Sequence, residues 1–157
     1  MGAPKSVIKM NKNGITYTSS VDKASYFLFE LSRAALRDVS KFIRKTFKES
    51  YYTHFKRITG KAGRVTRSKV FSSQNTKYPR VQIGVPHSSK GKSTEGFYAY
   101  FQEFGTSKTQ GLGLLQKAVD SNIKKIVEIE SKYLSALEDE AKALSLIDEE
   151  EYDDGED

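Results

Sequence analysis

Gly91-Lys92-Ser93-Thr94 is the first stretch whose residue types could do chemistry, because it looks like the end of a phosphate-binding loop. In such a loop backbone amides cradle phosphate and the lysine neutralises it. The spacing fails here: the first glycine would stand at position 86, which is Pro86, and no helical pattern opens directly after Ser93. The composition of His87 to Gly96, mostly Ser, Lys and Gly, is that of a mobile polar loop. His54 and His87 have no Asp or Glu nearby at metal-ligand or triad spacing. Glu103 is the single acid among the aromatics from Phe97 to Phe104, whereas carboxylate catalysis calls for a second carboxylate, a base or a metal. We read Glu103 as holding a turn through amide or Lys/Arg hydrogen bonds, with an intersubunit salt bridge as the alternative. No catalytic, cofactor-binding or metal-ligating set emerges, so the expectation is a protein that is not an enzyme and needs no cofactor.

The basic residues carry more signal. Lys41, Arg44, Lys45, Lys48, Lys56, Arg57, Lys61, Arg64, Arg67 and Lys69 place ten cations within 29 positions, interleaved with Tyr51, Tyr52 and Phe55. Aromatics among cations suit single-stranded nucleic acid, but Phe47, Tyr51 and Phe55 stand four apart, on one face of a helix, which favours a core role for the rings. The cations themselves could be a solvated face, a DNA-facing surface or a dock for acidic protein. No helix carries Arg, Asn and Gln at groove-reading spacing, so any DNA contact would be sequence-independent.

The elements that must position these residues follow from periodicity. Val7, Ile8 and Met10, then Asn13-Gly14, then Ile15 and Tyr17 predict a hairpin over residues 5–18. Residues 22–58 predict one long helix, with Phe27, Leu31, Ala35, Val39, Phe42, Ile43, Phe47 and Tyr51 recurring at helical steps and no Gly or Pro before Gly60. At about 1.5 Å per residue it would span roughly 54 Å, enough to project from a small domain. Residues 64–85 predict a second hairpin whose clearer strand holds Val81, Ile83 and Val85. A last helix is expected over 112–146, with Ile123, Val127, Leu134, Leu137, Ala141 and Leu144 as a narrow, nearly heptad stripe facing the first helix or a neighbouring subunit. The expected fold class is α+β, a small antiparallel sheet packed against two long helices, in a single domain over residues 1–147.

Length and charge bound the answer further. A chain of 157 residues supports one core, and without cysteine it can form neither a disulfide nor a thiolate metal site. No membrane span or signal peptide is visible, which points to a soluble protein, with no membrane partner, that is not exported by that route. The net charge of +6 hides an asymmetry: residues 148–157 hold eight acids and no base, leaving 26 Lys and Arg against 12 acids, or +14, before them. Such a body would attract phosphate or an acidic protein wall. The acidic tail reads as too poor in apolar surface to order by itself.

The segment Phe97–Asn122 is the most distinctive. Five aromatics in eight positions lead into Glu103-Phe104-Gly105-Thr106, where Gly105 can take positive φ and reverse the chain; Thr106 or Ser107 offers a turn oxygen, and a new helical pattern begins at Leu112. This order resembles the signature of neck, or tail-completion, proteins of long-tailed phages, the family named after gene product ten of phage Hong Kong 97. That signature runs Tyr-Ala, Glu-Phe-Gly-Thr, a polar run, then Pro-Phe-Leu-x-Pro-Ala. Tyr98-Ala99, Glu103 to Thr106, and Leu114-Leu115 followed by Ala118 match it, while Gly113 and Lys117 stand where the family has prolines. The missing prolines imply a looser entry into the last helix. Gly63 to Ser68 echoes the family's Gly-Arg-Leu-Arg-x-Ser strand, and the resemblance spans Val21 to about Leu137.

The resemblance implies a structural virion protein at the head-to-tail junction, assembled in the host cytoplasm. Its partners would be a homo-oligomeric ring of six copies, the head-completion (stopper), tail-terminator or tail-tube proteins, and genomic DNA in the channel without sequence specificity. Tyr98, Tyr100, Phe101, Glu103, Phe104, Gly105, Thr106, Leu114 and Leu115 would form the subunit interface, with the aromatic rings packed against the last helix. The rival reading is a sequence-independent nucleic-acid-binding protein using Lys41 to Lys69.

Overall fold

The computed structural model describes residues 7–12, 15–19, 21–55, 66–71, 78–84, 88–89, 92–93 and 98–153, with no side-chain detail at 7–12, 17–18, 88–89, 92–93 and 148–153. The fold is α+β. Strands β1 (Val7–Lys12) and β2 (Ile15–Ser19) pair antiparallel, with a register shift between Ile8 and Met10 and Lys12 opposite Ile15. Helix α1 (Val21–His54) follows, then β3 (Arg67–Phe71) and β4 (Arg80–Gly84), also antiparallel. Short strands β5 (Ser88–Ser89) and β6 (Lys92–Ser93) pair within the predicted polar loop. Helix α2 (Tyr98–Phe104) leads into the hairpin β7 (Gly105–Thr106) and β8 (Thr109–Gln110), followed by α3 (Leu114–Asp120), α4 (Ile123–Ser135), a 3₁₀ turn at Ala136–Glu138 and α5 (Glu140–Asp153).

The chain divides into two compact units, residues 1–35 with 130–157, and residues 36–129. In the first unit Phe27, Leu31, Ala34 and Ala35 of α1 are buried, as are Tyr133, Ala136, Ala143 and Leu146 toward the C-terminus. Lys23 and Glu140 form an ion pair at 2.6 Å on the surface of this unit, where solvent screening leaves it little energetic weight. In the second unit the buried row on α1 continues through Val39, Ile43, Phe47 and Tyr51. The four-residue steps of this row are why the helix forms here: they give each half of α1 an apolar face to cover. The Ser40 hydroxyl bonds to the Arg37 carbonyl oxygen at 2.7 Å and shares a 3.3 Å hydrogen bond with the Ser68 hydroxyl, so one face of β3 lies toward α1.

Four expectations change. The long helix ends at His54 rather than 58, and the stretch from Lys56 to Val65, with the first part of the predicted second hairpin, lies outside the described residues. The single helix over 112–146 is three helices, because Ser121-Asn122 and Asp139 cap rather than continue it. The Asn122 side-chain amide donates to the Ala118 carbonyl at 2.9 Å, while the Asn122 carbonyl accepts from Ile126 at 3.0 Å and so opens α4. Asp139 Oδ1 accepts from the Ala141 and Lys142 amides at 2.9 and 3.3 Å and opens α5. Most of the predicted stripe does not face the core of its own chain: Ile123, Val127, Leu134, Leu137 and Ala141 are exposed and Leu144 is half-buried, while Tyr133, Ala136, Ala143 and Leu146 take the buried positions. Helix α5 carries the backbone on to Asp153, so the first part of the acidic tail is helical.

Candidate functional site

The second unit holds the Glu-Phe-Gly-Thr element and explains each of its four residues. Helix α2 places Ala99, 3% exposed, into a cluster with Phe47 and Tyr51 of α1 and Ala118 of α3. Tyr52, Phe55, Leu114 and Leu115 pack around that cluster. The small methyl group of Ala99 lets α2 come close, so an alanine, not an aromatic ring, makes the buried contact of this segment. Tyr98 is half-buried, whereas Tyr100, Phe101 and Phe104 are exposed, Phe104 at 70%. This corrects the expectation that the rings pack against the last helix within one chain. Positions 100, 101 and 104 share the helix face opposite Ala99, which turns them to solvent. Tyr100 and Phe104 stack at 4.8 Å between ring centroids, and Tyr100 meets Phe101 edge-on at 5.8 Å. Phe97 lies outside the described residues.

Glu103 is a helix cap supplied from a distance. Its Oε1 accepts from the Leu115 amide at 2.9 Å and the Gln116 amide at 3.2 Å, two donors that the first turn of α3 leaves without partners. The turn-holding role expected of Glu103 is therefore what its geometry gives. Gly113, the residue before α3, has φ +59 and offers no side-chain cap. Proline cannot take that angle, so the residue at the family's proline position here does different work. The helix entry is held by Glu103 and by two backbone bonds, Leu112 to the Gln102 carbonyl at 2.8 Å and Gly113 to the Glu103 carbonyl at 3.1 Å. It is not the loose entry that the missing prolines implied.

Gly105 ends α2 with φ +84 and starts the β7–β8 hairpin, in which Thr106 pairs with Thr109. The Lys108 amide donates to Thr106 Oγ1 at 3.3 Å. A side chain at Gly105 would meet the Gly111 nitrogen at 2.6 Å, and one at Gly111 would meet the Glu103 carbonyl oxygen at 2.5 Å. The two arms of the hairpin approach too closely here to leave room for a methyl group. Gly111 was not singled out from the sequence, and Gly113 was noted there only as a missing proline, although the Gly-Leu-Gly spacing before an apolar run was the available signal.

Beneath this element the Tyr51 hydroxyl donates to Gln102 Oε1. Burial pushes the Tyr51 phenol up to about 12, with Tyr98 adding to the shift and the Gln102 bond opposing it. Phe47 and Tyr51 are core residues and Phe55 packs on the same cluster, in keeping with their four-residue spacing.

Part of the predicted basic surface lies on α1, where Lys41, Arg44, Lys45 and Lys48 share one helical face. Lys41 and Arg44 are half-buried on α1, Lys45 and Lys48 are exposed, and Lys48 lies 5.8 Å from the Tyr52 ring centre. Arg67 is exposed on β3. Lys56, Arg57, Lys61 and Arg64 lie outside the described residues, as does His87. His54 sits exposed at the end of α1 against Phe55, and among the described residues no group of three His, Asp or Glu could hold a metal ion. Lys92 and Ser93 pair with Ser89 and Ser88 as strands, so the phosphate-loop likeness has no helix opening at its serine. No helix of the described residues is long and apolar enough to cross a membrane. Comparison with protein-family models, characterised proteins and solved structures finds no match to this chain.

Proposed function

We propose that this chain is a structural virion protein of a long-tailed phage, a neck or tail-completion component whose copies form a ring joining head to tail around the DNA channel. The observation that carries the reading is the aromatic face of Tyr100, Phe101 and Phe104, exposed on a helix fixed on its other side by Ala99 and Glu103. Neighbouring large rings held toward water on a braced element mark a surface that a partner covers. The matching order of Tyr98-Ala99, Glu103 to Thr106 and the following helix supports the phage family in particular.

Phe104→Ala tests it. The side chain contributes little to the core, so the variant keeps the wild-type unfolding midpoint and loses self-association in native mass measurements. A variant that assembles into complete, infectious particles would sink the reading. The nucleic-acid alternative draws on exposed Lys45, Lys48 and Arg67. It requires DNA retention that falls with log salt at a slope of about −0.9 per phosphate contact. Ring formation without DNA retention at low salt separates the two.

A further inference from the structure

The β3–β4 ribbon has one face built entirely without acids. Its register sets Arg67 opposite Gly84, Lys69 opposite Gln82 and Phe71 opposite Arg80, and alternation puts these six residues on one side. Arg67, Lys69, Arg80 and Gln82 are exposed, whereas Ser68, Val70, Val81 and Ile83 on the other side are half-buried, with Ser68 bonded to Ser40 of α1. The Lys69 ammonium lies 5.1 Å and the Arg80 guanidinium 5.2 Å from the centre of the Phe71 ring. The ring thus gathers two long cationic side chains onto the ribbon and lowers the ordering cost of binding an anion. With cations against it, the ring is a poor platform for a stacked base. The face is suited to carboxylates, which guanidinium groups take with two parallel hydrogen bonds.

The same chain supplies a matching anion. Helix α5 runs through Asp153, so Asp148, Glu149, Glu150, Glu151 and Asp153 occupy its last two turns, and the last turn holds no base. Five like charges at the negative end of a helix dipole disfavour that helix unless cations cover them. We propose that the cationic face of the β3–β4 ribbon, carried by Arg67, Lys69 and Arg80, docks the acidic C-terminal segment, residues 148–157, of a second copy of this chain. The charges support the pairing, +14 before the segment and −8 within it. Tail of one copy to ribbon of the next is a heterologous contact, the kind that closes rings. This inference rests on the self-assembly proposed above.

The test mixes isotope-labelled and unlabelled full-length protein and couples amines to carboxylates with a carbodiimide. The expected result is a link from Lys69 to the 148–157 segment that joins a labelled chain to an unlabelled one. In a second arm, Arg67→Glu/Lys69→Glu/Arg80→Glu weakens association by about tenfold or more. A variant with the five helical acids changed to lysine does the same, and mixing the two restores association. Links confined to one chain, or none, overturn the inference. So does unchanged assembly by both charge variants; if Phe104→Ala abolishes assembly in that case, the ring reading stands and this one alone falls. Should the ribbon variant lose retention on DNA while no inter-chain link forms, the face serves nucleic acid and the proposal is overturned.

Discussion

Three glycines in nine positions separate two kinds of constraint. Gly113 has φ +59 with open space around its missing side chain, so Gly113→Ala should cost roughly 1–2 kcal/mol from backbone strain alone. Gly111 takes no left-handed angle, but its added methyl group would collide with backbone at 2.5 Å. Gly105 combines both problems. Denaturant midpoints should therefore rank Gly105→Ala as the most damaging, with Gly111→Ala below it and Gly113→Ala mildest; a mildest Gly111→Ala would contradict the close backbone approach at that glycine. Glu103→Ala should cost about 1–2 kcal/mol by stripping two amides of their cap, and Glu103→Gln less, because an amide oxygen still accepts. Tyr51 adds a pH dependence. Its phenol, raised to about 12 in the fold, stays protonated there while the unfolded chain ionises near its ordinary value of 10.0. The stabilisation is complete below pH 10 and is lost as pH rises toward 12. Tyr51→Phe should flatten that part of an alkaline unfolding curve.

Helix α1 was legible because large side chains mark its row: of the eight residues expected to line it, seven are buried and Phe42 is half-buried. The C-terminal region misled for the opposite reason. Beside Tyr133 and Leu146, its buried positions are Ala118, Ala136 and Ala143, small residues that weigh little in a hydrophobic pattern, while Ile123, Val127, Leu134 and Leu137 face water. Nor do Gly or Pro mark the breaks; Asn122 and Asp139 do, by side-chain bonds that compete with helix continuation. Asp139→Ala should then cost about 1 kcal/mol and be read first as lost helical signal from α5. If ellipticity and midpoint stay unchanged, the cap has no energetic role.

For the whole molecule, the order of motifs in Phe97–Asn122 could be read from the chain, but the orientation of its rings could not. Orientation depends on Tyr98–Phe104 being helical, which puts Ala99 inward and Phe104 outward; a bare run of aromatics is silent on its period. The charge asymmetry was equally plain, whereas the acid-free ribbon face with its three cations needed the β3–β4 register and brought in Arg80, outside the run of cations first noticed. If opposite charges help copies meet, self-association measured by sedimentation should weaken steadily as salt rises from low ionic strength. Insensitivity to salt would leave apolar burial as the whole driving force.

The two-residue tip between Thr106 and Thr109 has a practical use. Ser107 and Lys108 are exposed, just beyond the close approach of Gly105 and Gly111, and the chain has no cysteine. Lys108→Cys would therefore give a single thiol at the tip of the short hairpin that follows Phe104 in the chain. A fluorophore attached there would report whether assembly changes the surroundings of the Glu-Phe-Gly-Thr element, from a position where both tip residues are exposed.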